Sequence, residues 1–155
     1  MEILKIIPEI LHEYREVIFI FTGNMGLKAR NLIHRMNIRF NNRIMYLGRV
    51  PYKEVLENYS KSWGLLFPSI WEEPLPYAVL ETMLVGTIPI ASKVGGIPEI
   101  VGGTYAEKML FTPGCIEEFV DRMEGVASMS REQLMDIGVK LREAILKKFD
   151  EDVIK

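Results

Sequence analysis

The chain has 155 residues, of which 48% are hydrophobic and 26% charged, with a formal net charge of -2; it is long enough to bury a substantial core as one ordinary globular domain. The slightly acidic balance and the absence of a Lys/Arg run argue against nucleic acid or an anionic membrane surface as the main partner. Cys115 is the only cysteine, which excludes an internal disulfide; with no basic leader and no apolar run near the roughly 18 residues of a transmembrane segment, the expectation is a soluble, cytoplasmic chain.

Residues Glu2 to Tyr14 place Ile3, Ile6, Ile7, Ile10 and Leu11 at helical spacing, with Pro8 expected to kink or restart the helix. Val17 to Phe21 is an apolar run too short for a helix; it reads as a fully buried parallel strand leading into the glycine turn Thr22 to Gly26. A helix over Leu27 to Met36 turns Leu32, Ile33 and Met36 inward, and a strand over Arg43 to Leu47 closes at Gly48. Pro51 opens a helix to Tyr59, and Trp63 to Phe67 is a third buried strand. Pro76 is expected at the first position of a helix to Val85, where its missing N–H costs little, and Gly86 stops that helix.

Ile88 to Ala91 forms the next strand, and the loop to Gly95 and Gly96 enters a short helix over Ile97 to Val101. After a short strand at Met109 to Phe111, Thr112 and Pro113 supply a cap and first position for a helix to about Met129, with Cys115 as a small residue inside it. Ser130 and Gln133 match a capping box for a last helix with Leu134, Ile137, Leu141 and Ile145 on its inner stripe.

This alternation predicts a doubly wound α/β domain, a parallel sheet with helices on both faces. Ligands of such sheets bind at the carboxyl ends of the strands, here the loops Gly23 to Gly26, Gly48 to Tyr52, Pro68 to Pro76 and Ser92 to Gly96. The third loop holds Glu72 and Glu73 just before a helix start whose free amides suit a phosphate. Glu81 lies one turn inside that helix among Val79, Leu80, Met83 and Leu84, where a carboxylate needs a partner such as two ribose hydroxyls.

Gly23 and Gly26, and likewise Gly95 and Gly96, fit two readings: close approach of a ligand, or a turn that only glycine makes easily. Arg49 and Lys93, each just past a strand end, are either phosphate partners or ordinary surface charges. His12 and His34 have no partner at metal-ligand spacing and read as surface residues.

The run Pro68-Ser-Ile-Trp-Glu-Glu-Pro-Leu-Pro-Tyr-Ala-Val-Leu-Glu81, with Gly86 to Ser92 and Gly95 to Val101, resembles the donor-binding C-terminal domain of retaining GT-B glycosyltransferases, glycosyltransferase family 4. Phe21 to Gly26 and Tyr46 to Val50 are similar to that family's two earlier loops, so the resemblance covers nearly the whole chain. It implies a single donor-binding domain and transfer of a hexose from a nucleotide-diphosphate sugar with retention, without an obligatory metal or cofactor.

By the same resemblance Glu73 faces the donor sugar, Tyr77 and Ala78 hold the diphosphate through their amides, Glu81 binds ribose, Val50 and Tyr52 line the base pocket, and Gly23 admits the donor. Pro76 stands where the family often has Gly, Trp63 and Lys93 where Asp is common. The family's first strand, with the Arg and Lys that neutralise the leaving diphosphate, precedes the part matched here, as does the acceptor-binding domain. The resemblance therefore implies half of an active site, inactive without an acceptor domain or subunit, with the strands Val17 to Phe21 and Trp63 to Phe67 either paired directly or separated by a strand from elsewhere. The alternatives are a non-catalytic interaction module of the same fold and half of a sugar-nucleotide epimerase.

Overall fold

A computed structural model describes residues 3–153, the last three by backbone alone, so the expected helical start at Glu2 lies outside the described residues. The chain divides into two compact units, Met1–Val55 and Leu56–Lys155. The first contains α1 (Ile3–Glu13), β1 (Phe19–Thr22), α2 (Leu27–Arg39), β2 (Ile44–Gly48) and the opening turn of α3 (Tyr52–Lys61). The second continues from α3 through β3 (Gly64–Phe67), α4 (Tyr77–Leu84), β4 (Ile88–Ser92), α5 (Ile97–Val101), a 3-10 turn (Tyr105–Met109), β5 (Leu110–Phe111), α6 (Ile116–Ala127) and α7 (Arg131–Val153). The fold is α/β with parallel pairing throughout, as expected, and Rossmann-like in its alternation. Among the described residues its strands form two ladders, β1-β2 in the first unit and β3-β4-β5 in the second.

In the first unit α1 continues through Pro8, so the helix does not restart there. Pro8 removes only the bond to Leu4, while Ile7, Ile10 and Leu11 are almost fully buried, and burial of about 1.5–3 kcal/mol per large aliphatic side chain outweighs one missing bond. Arg43 ties the end of this helix down, donating to the carbonyls of Leu11 (2.7 Å), Tyr14 (3.1 Å) and Arg15 (3.0 Å). A cation there complements both the unpaired carbonyls and the helix dipole. Helix α2 extends one turn past Met36 and stops where Asn41 and Asn42 adopt left-handed conformations (φ 52° and 61°), which Asn tolerates better than most residues. Strand β1 is not the fully buried strand expected: Phe19 is buried, but Ile18 and Ile20 are 54% and 41% exposed. A two-stranded ladder leaves an open edge and cannot cover both faces of a continuous apolar run.

The second unit has the larger core. All five residues of β4 are buried, between the ladders to β3 and β5. Pro89 is tolerated because β5 pairs only with Ala91 and Ser92, so Pro89 lies where β4 has a single hydrogen-bonded neighbour. Strand β3, expected to be buried, is half-buried, and Trp63 is outside it and exposed.

Helix α6 begins at Ile116 instead of Pro113 and ends at Ala127; Thr112 to Gly114 make a turn, and Cys115 is the residue before the first helical one. The Glu118 carboxylate reaches back to accept from the Thr112 amide at 2.6 Å, and that bond holds its pKa below the usual carboxylate range. The capping box of α7 forms as expected: the Ser130 amide donates to Gln133 (2.8 Å) and the Gln133 amide to the Ser130 hydroxyl (3.1 Å). Leu141 and Ile145 are buried on its inner face, and Gly138 brings α7 against Gly86 at the end of α4.

Candidate functional site

Helix α4 carries the centre of the candidate site. Its cap is Pro76 itself (φ -76°, ψ 92°), so the first helical residue is Tyr77 and the helix starts one position later than expected. The amides of Val79 and Leu80 both donate to the Pro76 carbonyl, at 3.0 and 3.4 Å. Among the described residues the amides of Tyr77 and Ala78 have no protein acceptor, and the Tyr77 side chain is 63% exposed. Two free N–H groups at the positive end of a helix form an anion-binding element. Further along, Glu81 is half-buried, and Thr82 is buried with its hydroxyl donating to the Ala78 carbonyl at 2.6 Å.

The loop before α4 is held from two directions. Ser92, fully buried at the end of β4, donates to the carbonyl of Ser69, with that of Phe67 at 3.4 Å. The Ser69 hydroxyl accepts from the Trp71 amide (3.2 Å) and lies 3.3 Å from the Glu73 carboxylate. Gly95 donates its amide to the Glu72 carboxylate at 2.7 Å, and Gly96 donates to the Glu73 carbonyl at 3.0 Å. A Cβ on Gly95 would stand 2.2 Å from the Glu73 carbonyl oxygen, and one on Gly96 2.1 Å from that of Pro74. Beyond the two readings given for these glycines, the structure shows a third role, contact with the chain itself: their amides are engaged and the loop carrying Glu73 lies against them. Lys93, in the same loop as these glycines, is exposed.

The first unit presents its own strand-end loops. Gly23 (φ 91°) and Gly48 (φ 67°) have left-handed backbones with nothing within 4 Å of an added Cβ. The Gly23 amide donates to the Gly48 carbonyl at 2.8 Å, and the Tyr46 hydroxyl donates to the Gly23 carbonyl, also at 2.8 Å. Gly26 instead precedes α2 with an ordinary extended backbone. Arg49 and Tyr52 are exposed and Val50 is half-buried.

Sequence reasoning missed four contributors. Ser69 and Ser92 are small polar residues that nothing separates from other loop serines until the strand ends are seen side by side. Tyr46 shows only as a strand residue. Tyr59, on α3, has its phenol pKa pushed up, first by burial and second by the charge of Glu81, and its carbonyl accepts from the buried Thr87 hydroxyl at 2.6 Å. Among the described residues no group of three His, Cys, Asp or Glu is placed to hold a metal ion.

A model of the family described as "Glycosyl transferases group 1" matches residues 2–143. Spore coat protein SA of Bacillus subtilis is 26% identical over 105 residues, 64% of this chain and 28% of that protein. Glycogen synthase of Elusimicrobium minutum is 29% identical over 104 residues, 64% of this chain and 21% of that protein. The chain thus spans about a quarter of the length of these curated relatives. Among solved structures, Anabaena HepE in complex with UDP and glucose superposes with a TM-score of 0.68 at 22% identity, over 86% of this chain and 36% of that one. A glycosyltransferase from Rickettsia africae gives 0.72 at 18% identity, over 94% and 38%. At these identities the solved structures show a shared fold.

Proposed function

The chain belongs to the group 1 glycosyl transferases, and from that premise we propose that it is the donor-binding half of a retaining hexosyltransferase using a nucleotide-diphosphate sugar. The observation that carries the reading is the pair of open amides at Tyr77 and Ala78, following a loop whose Glu73 is held by Ser69 and Gly96. The diphosphate rests on those two amides, with Arg49 and Lys93 adding positive charge and no obligatory metal. Glu73 faces the sugar, Glu81 takes the ribose hydroxyls, Val50 and Tyr52 line the base, and Gly23, Gly95 and Gly96 shape the loops around the donor. In the reaction the bond from the anomeric carbon to the diphosphate oxygen breaks, its electron pair leaving with the diphosphate. The acceptor hydroxyl then bonds to the same face of that carbon and passes its proton to the departing diphosphate oxygen. Helix amides aimed at the departing charge stabilise that step. The UDP and glucose named for HepE support the donor class, and the chain's span of about a quarter of its relatives supports an acceptor domain or subunit supplied beside it.

Calorimetric titration of the full chain with UDP, GDP and ADP and their hexose conjugates tests the reading. Binding of one base class is expected, unchanged by EDTA and weakened at least a few-fold by Glu81→Ala through the lost ribose hydrogen bonds. No binding by any of the panel overturns it.

A further inference from the structure

The net charge of -2 averages over two units of opposite sign. Unit Met1–Val55 has nine Lys and Arg against five Asp and Glu, whereas unit Leu56–Lys155 has ten against sixteen. The imbalance concentrates between Glu16 and Glu54, where 37 consecutive residues hold seven Lys and Arg and no acid. Arg43 is used internally, on the carbonyls that end α1. Four of the others, Lys28, Arg30, Arg35 and Arg39, lie on α2, all exposed, with His34 exposed among them. Neither ion pair found among the described residues involves any of the four. Arg39 sits over the Phe40 ring, 5.3 Å from its centroid.

Helical geometry arranges these residues. Ile33 and Met36 mark the buried face of α2. Opposite them Leu27 and Ile38, 65% and 68% exposed, share one line along the helix three turns apart, about 16 Å by the rise per residue. Lys28, Arg35 and Arg39 run along one side of that line and Arg30 and His34 along the other. Beside the helix an open groove of about 360 Å³ is lined by Arg30, His34 and Asn37 together with Ile33, Ile44 and Tyr46.

We infer that the outer face of α2 docks on an anionic phospholipid surface, its cations against the headgroups and Leu27 and Ile38 at the boundary with the acyl chains. Charge complementarity selects an anionic partner, since each exposed cation near such a surface adds attraction that salt screens. The two aliphatic side chains select a bilayer over nucleic acid: a phosphate backbone gains nothing from exposed Leu and Ile, whereas an interfacial helix buries them. The inference is independent of the donor reading and survives its failure.

Flotation of the full chain with phosphatidylcholine vesicles, with and without phosphatidylglycerol, tests it. Binding is expected to the anionic vesicles alone and to fall steeply as salt is raised. The triple variant Lys28→Gln, Arg35→Gln, Arg39→Gln, with its helix content checked by circular dichroism, is expected to bind about a hundredfold more weakly, taking roughly a fivefold loss per cation. Lys140→Gln, Arg142→Gln, Lys147→Gln on α7 is expected to leave binding within about twofold, because these residues belong to the other unit and not to α2. Leu27→Ser with Ile38→Ser should weaken binding several-fold at constant charge. The inference is overturned by equal binding to neutral vesicles, by no binding, or by equal losses in the two triple variants. It is also overturned if the α2 substitutions abolish self-association or oligonucleotide binding while vesicles are never bound.

Discussion

The turns that follow β1 and β4 both place a glycine in the left-handed region, Gly23 at φ 91° and Gly95 at φ 51°, yet their surroundings are opposite. Around Gly23 an added methyl would meet nothing within 4 Å; around Gly95 it would meet the Glu73 backbone at 2.2 to 2.9 Å. The first turn is open and tethered only through its own amide and carbonyl, to Gly48 and Tyr46. The second is a packing surface for the acidic loop. Within one chain, then, a glycine at a strand end serves backbone freedom alone in one unit and backbone freedom plus chain contact in the other.

The comparison breaks most sharply on paired substitutions. Gly95→Ala adds left-handed strain of about 1–2 kcal/mol to an overlap with backbone that no rotamer relieves, itself about 1–3 kcal/mol. Urea unfolding is therefore expected to show a loss of about 3 kcal/mol or more. Donor affinity should fall at least tenfold as the Glu73 loop is pushed away. Gly23→Ala carries the strain alone, about 1–2 kcal/mol. Equal losses at the two positions would mean that the crowding at Gly95 is relieved elsewhere.

A smaller effect sharpens the same contrast inside a helix. Gly138 is buried within α7, and replacing an ordinary helical glycine with alanine gains up to about 1 kcal/mol. Here the new Cβ would stand 2.1 Å from the Gly86 carbonyl oxygen. Overlap of that size forces α4 and α7 apart, so Gly138→Ala is expected to lose about 1–2 kcal/mol net, with the sign of the change as the readout. A gain would show that Gly138 is no contact residue.

What the sequence made legible follows the same division between local and distant causes. The α/β alternation, the parallel pairing and the capping box at Ser130 and Gln133 are written in short-range patterns, and they appear in the fold. Boundaries shifted at two helix starts: Glu118 reaches back to Thr112 with Pro113 left outside α6, and Pro76 caps α4 without entering it. Burial of β1 and β3 was overread, because an apolar run does not say how many neighbours its strand has. Ser69, Ser92 and Tyr46 were invisible as site-shaping residues, since each acts across strand ends distant in sequence. The charge contrast was present all along and was lost by summing over the chain.

The smallest expected effect concerns Tyr59 and Glu81, which belong to the unit of Gly95 and give it a spectroscopic handle of its own. Burial raises the Tyr59 pKa first, and the Glu81 carboxylate raises it further, because a phenolate beside a carboxylate is disfavoured. A group whose folded pKa lies above its unfolded value of 10.0 contributes stability that is complete below pH 10 and is lost as pH rises through the folded value. Phenolate absorbance of the folded chain minus that of Tyr59→Phe isolates this one tyrosine. Glu81→Gln is expected to lower its midpoint part of the way toward 10, since burial remains, and to reduce the alkaline loss of stability that Tyr59→Phe removes. An unchanged midpoint would mean that the carboxylate points away from Tyr59. A midpoint falling all the way to 10 would make the charge, not burial, the larger cause. A donor that takes its ribose on Glu81 should then shift the Tyr59 midpoint on binding, whereas Gly23→Ala should leave it where it is.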